Sequence, residues 1–241
     1  MTILCIETST SVCSAAICND GMPIKQCINY EGSNHARLLP LYIEELLAYA
    51  REQKLTIDAI ALSEGPGSYT GLRIGTSMAK GLCYGLDVPL IPIPTLSVLC
   101  EAVKSKDRFA DRIQSTDLLC PMIDARRMEV YAAIYDSRSL KDPIARAVVV
   151  ENEESLMREG MNELMDEGAH VYFFGDGAEK CQKVLTKANW HYVPDIVPEA
   201  QYMGRLVSER LVISGERIAY YEPYYLKEFI AAPSHVKGLQ S

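Results

Sequence analysis

The sequence predicts an α/β protein of two similar lobes, each a mixed five-stranded sheet flanked by helices. Three observations point there. Strand and helix signals follow the order strand, strand, strand, helix, strand, helix, and that order begins again near residue 118. The stretch from Cys5 to Ile17 can be written without a gap over Met122 to Ile134, each copy ending in Ala-Ala-Ile. The carboxylate closing the first strand of each copy (Glu7, Asp124) precedes the start of the next helix (Leu38, Ser155) by 31 residues in both. A sheet covered by helices buries both its faces, and 241 residues suffice for two such lobes, 1–102 and 103–241.

In the first lobe, apolar residues at 3–7 and 12–18 read as strands joined by a turn at 8–11. Asn19-Asp20-Gly21 is a hairpin signal leading to a third strand at 24–29. Ser33-Asn34 can cap a helix whose one face carries Leu39, Ile43, Leu46, Leu47 and Ala50, with Pro40 ending or bending its first turn. A strand at 59–63, a helix at 70–84 and a strand at 89–93 follow. In the second lobe, strands are expected at 118–124, 129–135, 144–150 and 171–174, and helices at 153–165 and 178–188. A last helix at about 200–213 would pack back on the first lobe, with a flexible tail beyond it.

Composition excludes several classes. No run of 18 apolar residues is present, so no transmembrane helix is expected. The start lacks the positive charge of a signal peptide, which points to the cytoplasm. The eight cysteines form no CxxC pair, and buried, reduced thiols are the reading for them. The net charge of −8 is shared, with 6 Lys+Arg against 9 Asp+Glu in residues 1–100 and 18 against 23 thereafter. Affinity for nucleic acid rests on neutralising phosphates, so the chain by itself is a poor RNA binder, apart from a local patch at Arg126, Arg127 and Arg138.

The most specific motif runs from Gly65 to Gly75 and contains Pro66, Gly67, Ser68, Thr70, Gly71, Leu72 and Arg73. Lying between a strand and a helix, it is either a tight turn with a capped helix or a phosphate-facing loop. Gly71, Gly75 and Ala79 recur every four residues; this stripe packs on the lobe's own sheet or against a second subunit. Leu72, Met78 and Leu82 are candidates for the helix's other apolar face. Asp124-Ala-Arg126-Arg127 reads as a turn with an exposed ion pair, or as a carboxylate orienting substrate or metal. His35, His170, His191 and His235 are scattered and match no metal-binding spacing, and no GxSxG elbow supports hydrolase chemistry.

The opening ILCIETSTSVCSAAI, His35 to Pro40, GPGSYTGLRIG, Pro89 to Leu96 and Asp124 to Arg126 together resemble the TsaB (YeaZ) family. The resemblance is strongest over residues 1–135. It implies an actin/hexokinase-like fold of two RNase H-like lobes. It also implies a non-catalytic role in forming threonylcarbamoyladenosine in tRNA, beside a TsaD-like transferase as heterodimer, with a TsaE-like ATPase as further partner. A homodimer is expected in isolation, and tRNA is met only indirectly. The implied interface is His35, Leu39, Ile43 and Leu47 of one helix and Thr70, Leu72, Arg73, Gly75, Met78, Ala79 and Leu82 of the next. TsaD-like chains hold a metal with two histidines four residues apart, where this sequence offers Thr95 and Leu99, so neither metal nor cofactor is expected. One rival is an ATP-binding phosphotransferase or ATPase using a cleft at Glu7, Asp124 and Arg126. The other is a glycoprotease-like hydrolase, which lacks the residues its chemistry requires.

Overall fold

A computed structural model describes residues 1–32, 34–106, 113–140, 146–150, 153–156, 170–210 and 212–227. Its first lobe comprises β1 (Thr2–Glu7), β2 (Cys13–Asn19), β3 (Met22–Asn29), α1 (His35–Glu52), β4 (Ala59–Gly65), α2 (Tyr69–Leu86) and β5 (Leu90–Pro94). The strand order is β3-β2-β1-β4-β5, with β1 antiparallel to β2 and parallel to β4. β1 is central, and all six of its residues are buried, which is why its apolar run hardly alternates.

After α3 (Thr95–Ser105), the second lobe comprises β6 (Leu118–Asp124), β7 (Glu129–Ala132), β8 (Tyr135–Asp136), β9 (Arg146–Val149), α4 (Glu153–Leu156), β10 (Val171–Phe174), α5 (Ala178–Cys181) and β11 (Trp190–Val193). The strand order β9-β7-β6-β10-β11 is that of the first lobe, and β8 continues the line of β7 along β6 in the same register. The expected fold class, two mixed sheets flanked by helices, is the one observed.

Several elements differ from expectation. Pro40 lies inside α1 and does not end it. Asn34 makes no side-chain capping bond, and Ser33 lies outside the described residues. The expected helix at 178–188 is one turn long, Ala178–Cys181. The last helix is a 3-10 helix, Ala200–Glu209. Its buried Ala200, Met203 and Leu206 recur every third residue, the repeat of that helix, and a side chain on Gly204 would meet the Cys18 Sγ at 2.9 Å. Of the helix expected at 153–165, the residues beyond Leu156 lie outside the description, as does the tail beyond 227. Three elements were not anticipated: α3, β11 and a short 3-10 helix at Gly215–Ile218.

The core is layered. α1 and α2 cover the outer face of the first sheet through Leu4, Ile6, Leu39, Leu46, Leu62 and Ala79. The inner face, with Ile3, Cys5 and Ile91, meets Met203 and Leu206 of the 3-10 helix and Val98 of α3. The opposite side of α3, with Leu96, Leu99 and Val103, packs on Leu119, Ile123 and Phe174 of the second sheet. All eight cysteines are free and buried.

Candidate docking face and interlobe cleft

The buried stripe of α1 is His35, Leu39, Ile43, Leu46 and Ala50; that of α2 is Gly71, Leu72, Gly75, Thr76, Ala79 and Cys83. Spacings of three and four put each stripe on the sheet-facing side. The small-residue stripe therefore packs on its own lobe: a side chain at Gly71 would meet the Thr8 carbonyl oxygen at 2.0 Å, and one at Gly75 the Thr8 Oγ1 at 2.4 Å. This corrects the expected interface, because His35, Leu39, Ile43, Leu72, Gly75 and Ala79 face inward, and Leu47 is half-buried against the same core. His35 Nε2 lies 3.0 Å from the Thr10 carbonyl oxygen, so its role is packing.

The side the two helices turn outward is a shallow groove of about 770 Å³ lined by Ala36, Pro40, Tyr69, Thr70, Arg73, Ile74, Ser77, Met78, Gly81 and Leu82. Thr70, Arg73, Met78 and Leu82 of the expected interface lie here. Beyond the groove's end, Tyr84 is 92% exposed, and Leu41 on α1 is 56% exposed. Gly81 has nothing within 4 Å of where a Cβ would stand, so it leaves the groove open at that point.

The glycine-rich loop is a capped turn. Ser68 Oγ accepts the Gly71 N–H at 3.3 Å, and the Ser68 N–H donates to the Ser9 carbonyl at 2.6 Å. Gly65 has φ +119°, and the segment at 219–227 crosses so close that a side chain there would meet the Tyr224 carbonyl at 2.4 Å. A side chain at Gly67 would meet the Ser9 carbonyl at 2.3 Å, and the Gly65–Pro66 peptide is cis. The loop thus lies against the Thr8–Ser11 turn, with the Ser68 amide already engaged. Beside it, Arg73 donates to the Tyr69 hydroxyl at 2.6 Å, and Tyr69 packs on Tyr225 with ring centroids 5.0 Å apart.

Glu7, Asp124 and Arg126 do not form one site. Glu7 is wholly buried; its Oε1 accepts the Ser9 N–H and hydroxyl, while Oε2 makes no hydrogen bond. Burial pushes its carboxyl above the usual range, against the pull of Ser9, Ser63 and Thr8. The gapless match puts Asp124 over Glu7, yet Glu7 pairs with Ser14 whereas Asp124 pairs with Val130, one residue short of the matching partner, Tyr131. A one-residue slip reverses the face of a strand residue. Glu7 therefore shares the inner face with Ile3 and Cys5, and Asp124 the outer face with Cys120 and Met122. Asp124 is exposed; it accepts the Arg126 N–H at 2.7 Å and pairs with Lys180. Thr95 and Leu99 are both buried in α3, the Thr95 hydroxyl 2.7 Å from that of Ser63.

Two groupings escaped the sequence reading. His170 Nδ1 and His191 Nε2 are 2.7 Å apart because β10 and β11 run side by side, which no spacing along the chain reveals. Gly175-Asp176-Gly177 repeats the place of Gly65-Pro66-Gly67 after the fourth strand of its lobe. Gly175 has φ +103°, and a side chain on it would meet the Met122 carbonyl at 2.2 Å. The repeated Gly-x-Gly was the signal available for it.

A protein-family model described as "TsaD: tRNA N6-adenosine threonylcarbamoyltransferase" matches residues 30–221. The chain is 37% identical over 133 residues to the tRNA threonylcarbamoyladenosine biosynthesis protein TsaB of Haemophilus influenzae, covering 54% of this chain and 52% of that one. It is 36% identical to TsaB of Escherichia coli, covering 56% and 55%. In these two matches the chain spans about half the length of its curated relatives. TsaB of Buchnera aphidicola subsp. Baizongia pistaciae is 27% identical over 235 residues, covering 94% of this chain and 98% of that one. The solved structure of YeaZ from Pseudomonas aeruginosa has the same fold, with TM-score 0.70 and 23% identity over 93% of this chain and 99% of that one.

Proposed function

Starting from the fact that the chain belongs to the TsaD family, in its TsaB (YeaZ) branch, we propose that it serves in forming threonylcarbamoyladenosine in tRNA as a non-catalytic partner. In this reading the outward face of α1 and α2 docks onto a TsaD-like transferase and, in its absence, onto a second copy. A TsaE-like ATPase joins the assembly, which works in the cytoplasm. The observation that carries the reading is the groove between the two helices, apolar at Ala36, Pro40, Ile74, Met78 and Leu82, with Tyr84 and Leu41 exposed beyond it. Exposed apolar surface of this kind, rimmed by polar residues, marks interaction sites.

The rival phosphotransferase reading needs carboxylates converging on a magnesium ion. Glu7 faces the interior, and Asp124 faces the other side of its sheet and is paired with Lys180, which argues against it.

Gly81→Arg tests the docking face. The side chain enters open space, and the helix loses a glycine, so the fold is kept. Binding to a TsaD-like protein, measured by calorimetry, should weaken at least tenfold. Unchanged affinity for this variant and for Met78→Glu would remove the face from consideration.

A further inference from the structure

The hairpin turn between β6 and β7 presents two arginines in a way that the docking face does not explain. Arg126 and Arg127 have φ of +69° and +51°, a region that side chains other than glycine enter at a cost. Both side chains are exposed. The turn is held from several directions. The Ala125 N–H donates to the Glu129 carbonyl and the Glu129 N–H to the Arg126 carbonyl, each at 3.1 Å. The Lys180 ammonium donates to the Arg127 and Glu129 carbonyls at 2.8 and 2.6 Å and also holds the Asp124 carboxylate.

The pairing of charges here is selective. Two carboxylates, Asp124 and Glu129, stand within three residues of the arginines. Each is occupied by a lysine from elsewhere in the chain, Asp124 by Lys180 and Glu129 by Lys227. Neither guanidinium makes a hydrogen bond or ion pair within the described residues. Two lysines thus satisfy the local carboxylates and leave two arginines, on a turn held by backbone and lysine hydrogen bonds, facing solvent in a chain of net charge −8.

We propose that this turn contacts the phosphate backbone of RNA. Guanidinium forks suit phosphate oxygens, and phosphate contacts need cations alone. A protein interface needs an apolar, desolvated centre, and within the turn, residues 124–129, Met128, 38% exposed, is the one large apolar side chain. The contact adds a local, sequence-independent hold to RNA gripped mainly by a partner. The inference rests on the reading of the chain as part of a tRNA-modifying assembly.

The test uses the chain reconstituted with a TsaD-like protein and an unmodified tRNA transcript, titrated at several salt concentrations. Each phosphate contact contributes about 0.7 to 0.9 to the slope of log affinity against log salt. Arg126→Gln/Arg127→Gln should therefore lower the slope by about 1.4 to 1.8 and weaken RNA binding roughly tenfold near 0.1 M salt, leaving association with the protein partner unchanged. Arg126→Lys/Arg127→Lys should retain most of the slope. Arg126→Gly/Arg127→Gly, which suits the positive φ, repeats the charge loss in a fold that is retained. An unchanged slope and RNA affinity in the glutamine and glycine variants overturns the proposal. So does weakened association with the protein partner at unchanged RNA slope, which would make an acidic protein surface the ligand. If the partner does not bind even the unaltered chain, the docking reading fails, and the turn is judged by the same slope on the isolated chain at low salt.

Discussion

The turn after the first strand is built in opposite ways in the two lobes. In the first, Thr8, Ser9 and Thr10 are buried, and the loop from Gly67 to Gly71 presses on the Thr8 and Ser9 carbonyls. In the second, the corresponding turn is one residue shorter, and Arg126 and Arg127 stand in solvent. One pair of covering helices differs as well: α2 has 18 residues, whereas α5, at the same place in the second lobe, has four. A common strand order therefore leaves the site chemistry open. The first lobe spends its polar turn on internal packing and offers a helical face outside. The second exposes charge at the same topological position.

Glycine substitutions break the comparison most forcefully. Gly71→Ala would drive a methyl group to 2.0 Å from the Thr8 carbonyl oxygen, and a loss of about 3 kcal/mol or failure to fold is expected in urea denaturation. In the corresponding loop of the second lobe, Gly177→Ala meets the Ile123 carbonyl carbon at 2.7 Å, a softer clash, and should cost about 1–3 kcal/mol. Equal losses would mean that the two loops are equally tight. Gly81→Ala, with open space around it, should gain about 0.5–1 kcal/mol.

The two carboxylates sharpen the contrast through pH. Glu7 has a folded-state pKa raised from 4.5, so the unfolded chain gives up its proton first. Stability then falls as pH rises from about 4.5 until the buried carboxyl ionises. Glu7→Gln should match the unaltered protein near pH 4 and exceed it above about pH 4.5 in thermal unfolding, the gap levelling off once the buried carboxyl ionises. Asp124 is exposed and paired with Lys180, so no buried carboxyl is at stake there. Parallel curves for Glu7→Gln and the parent would refute the burial argument.

The smallest effect is expected at the ion pair between Lys227 and Glu129, whose side chains are 33% and 29% exposed. Lys227→Gln should cost less than about 1 kcal/mol, and less still at high salt. A larger loss would show that the segment at 219–227 ties the lobes together through this contact.

The repeated strand order, the central strands and the two long amphipathic helices are legible in the sequence, because apolar runs bounded by turn residues and the 3.6-residue helical period are local properties of the chain. The sequence did not reveal α3, whose residues from Thr95 to Val103 are all buried between two sheets, so that no polar stripe marks it as a helix. Of the residues it suggested for an interface, only Thr70, Arg73, Met78 and Leu82 line the outward groove, and the regular stripe that draws attention is the one that folding buries. Glu7 and Asp124 stand at the same place of the gapless match, and only strand pairing, through one residue of hairpin length, decided that they face opposite ways. The positive φ of Arg126 and Arg127 and the meeting of His170 with His191 were likewise decided by contacts between distant segments, which periodicity along the chain does not encode.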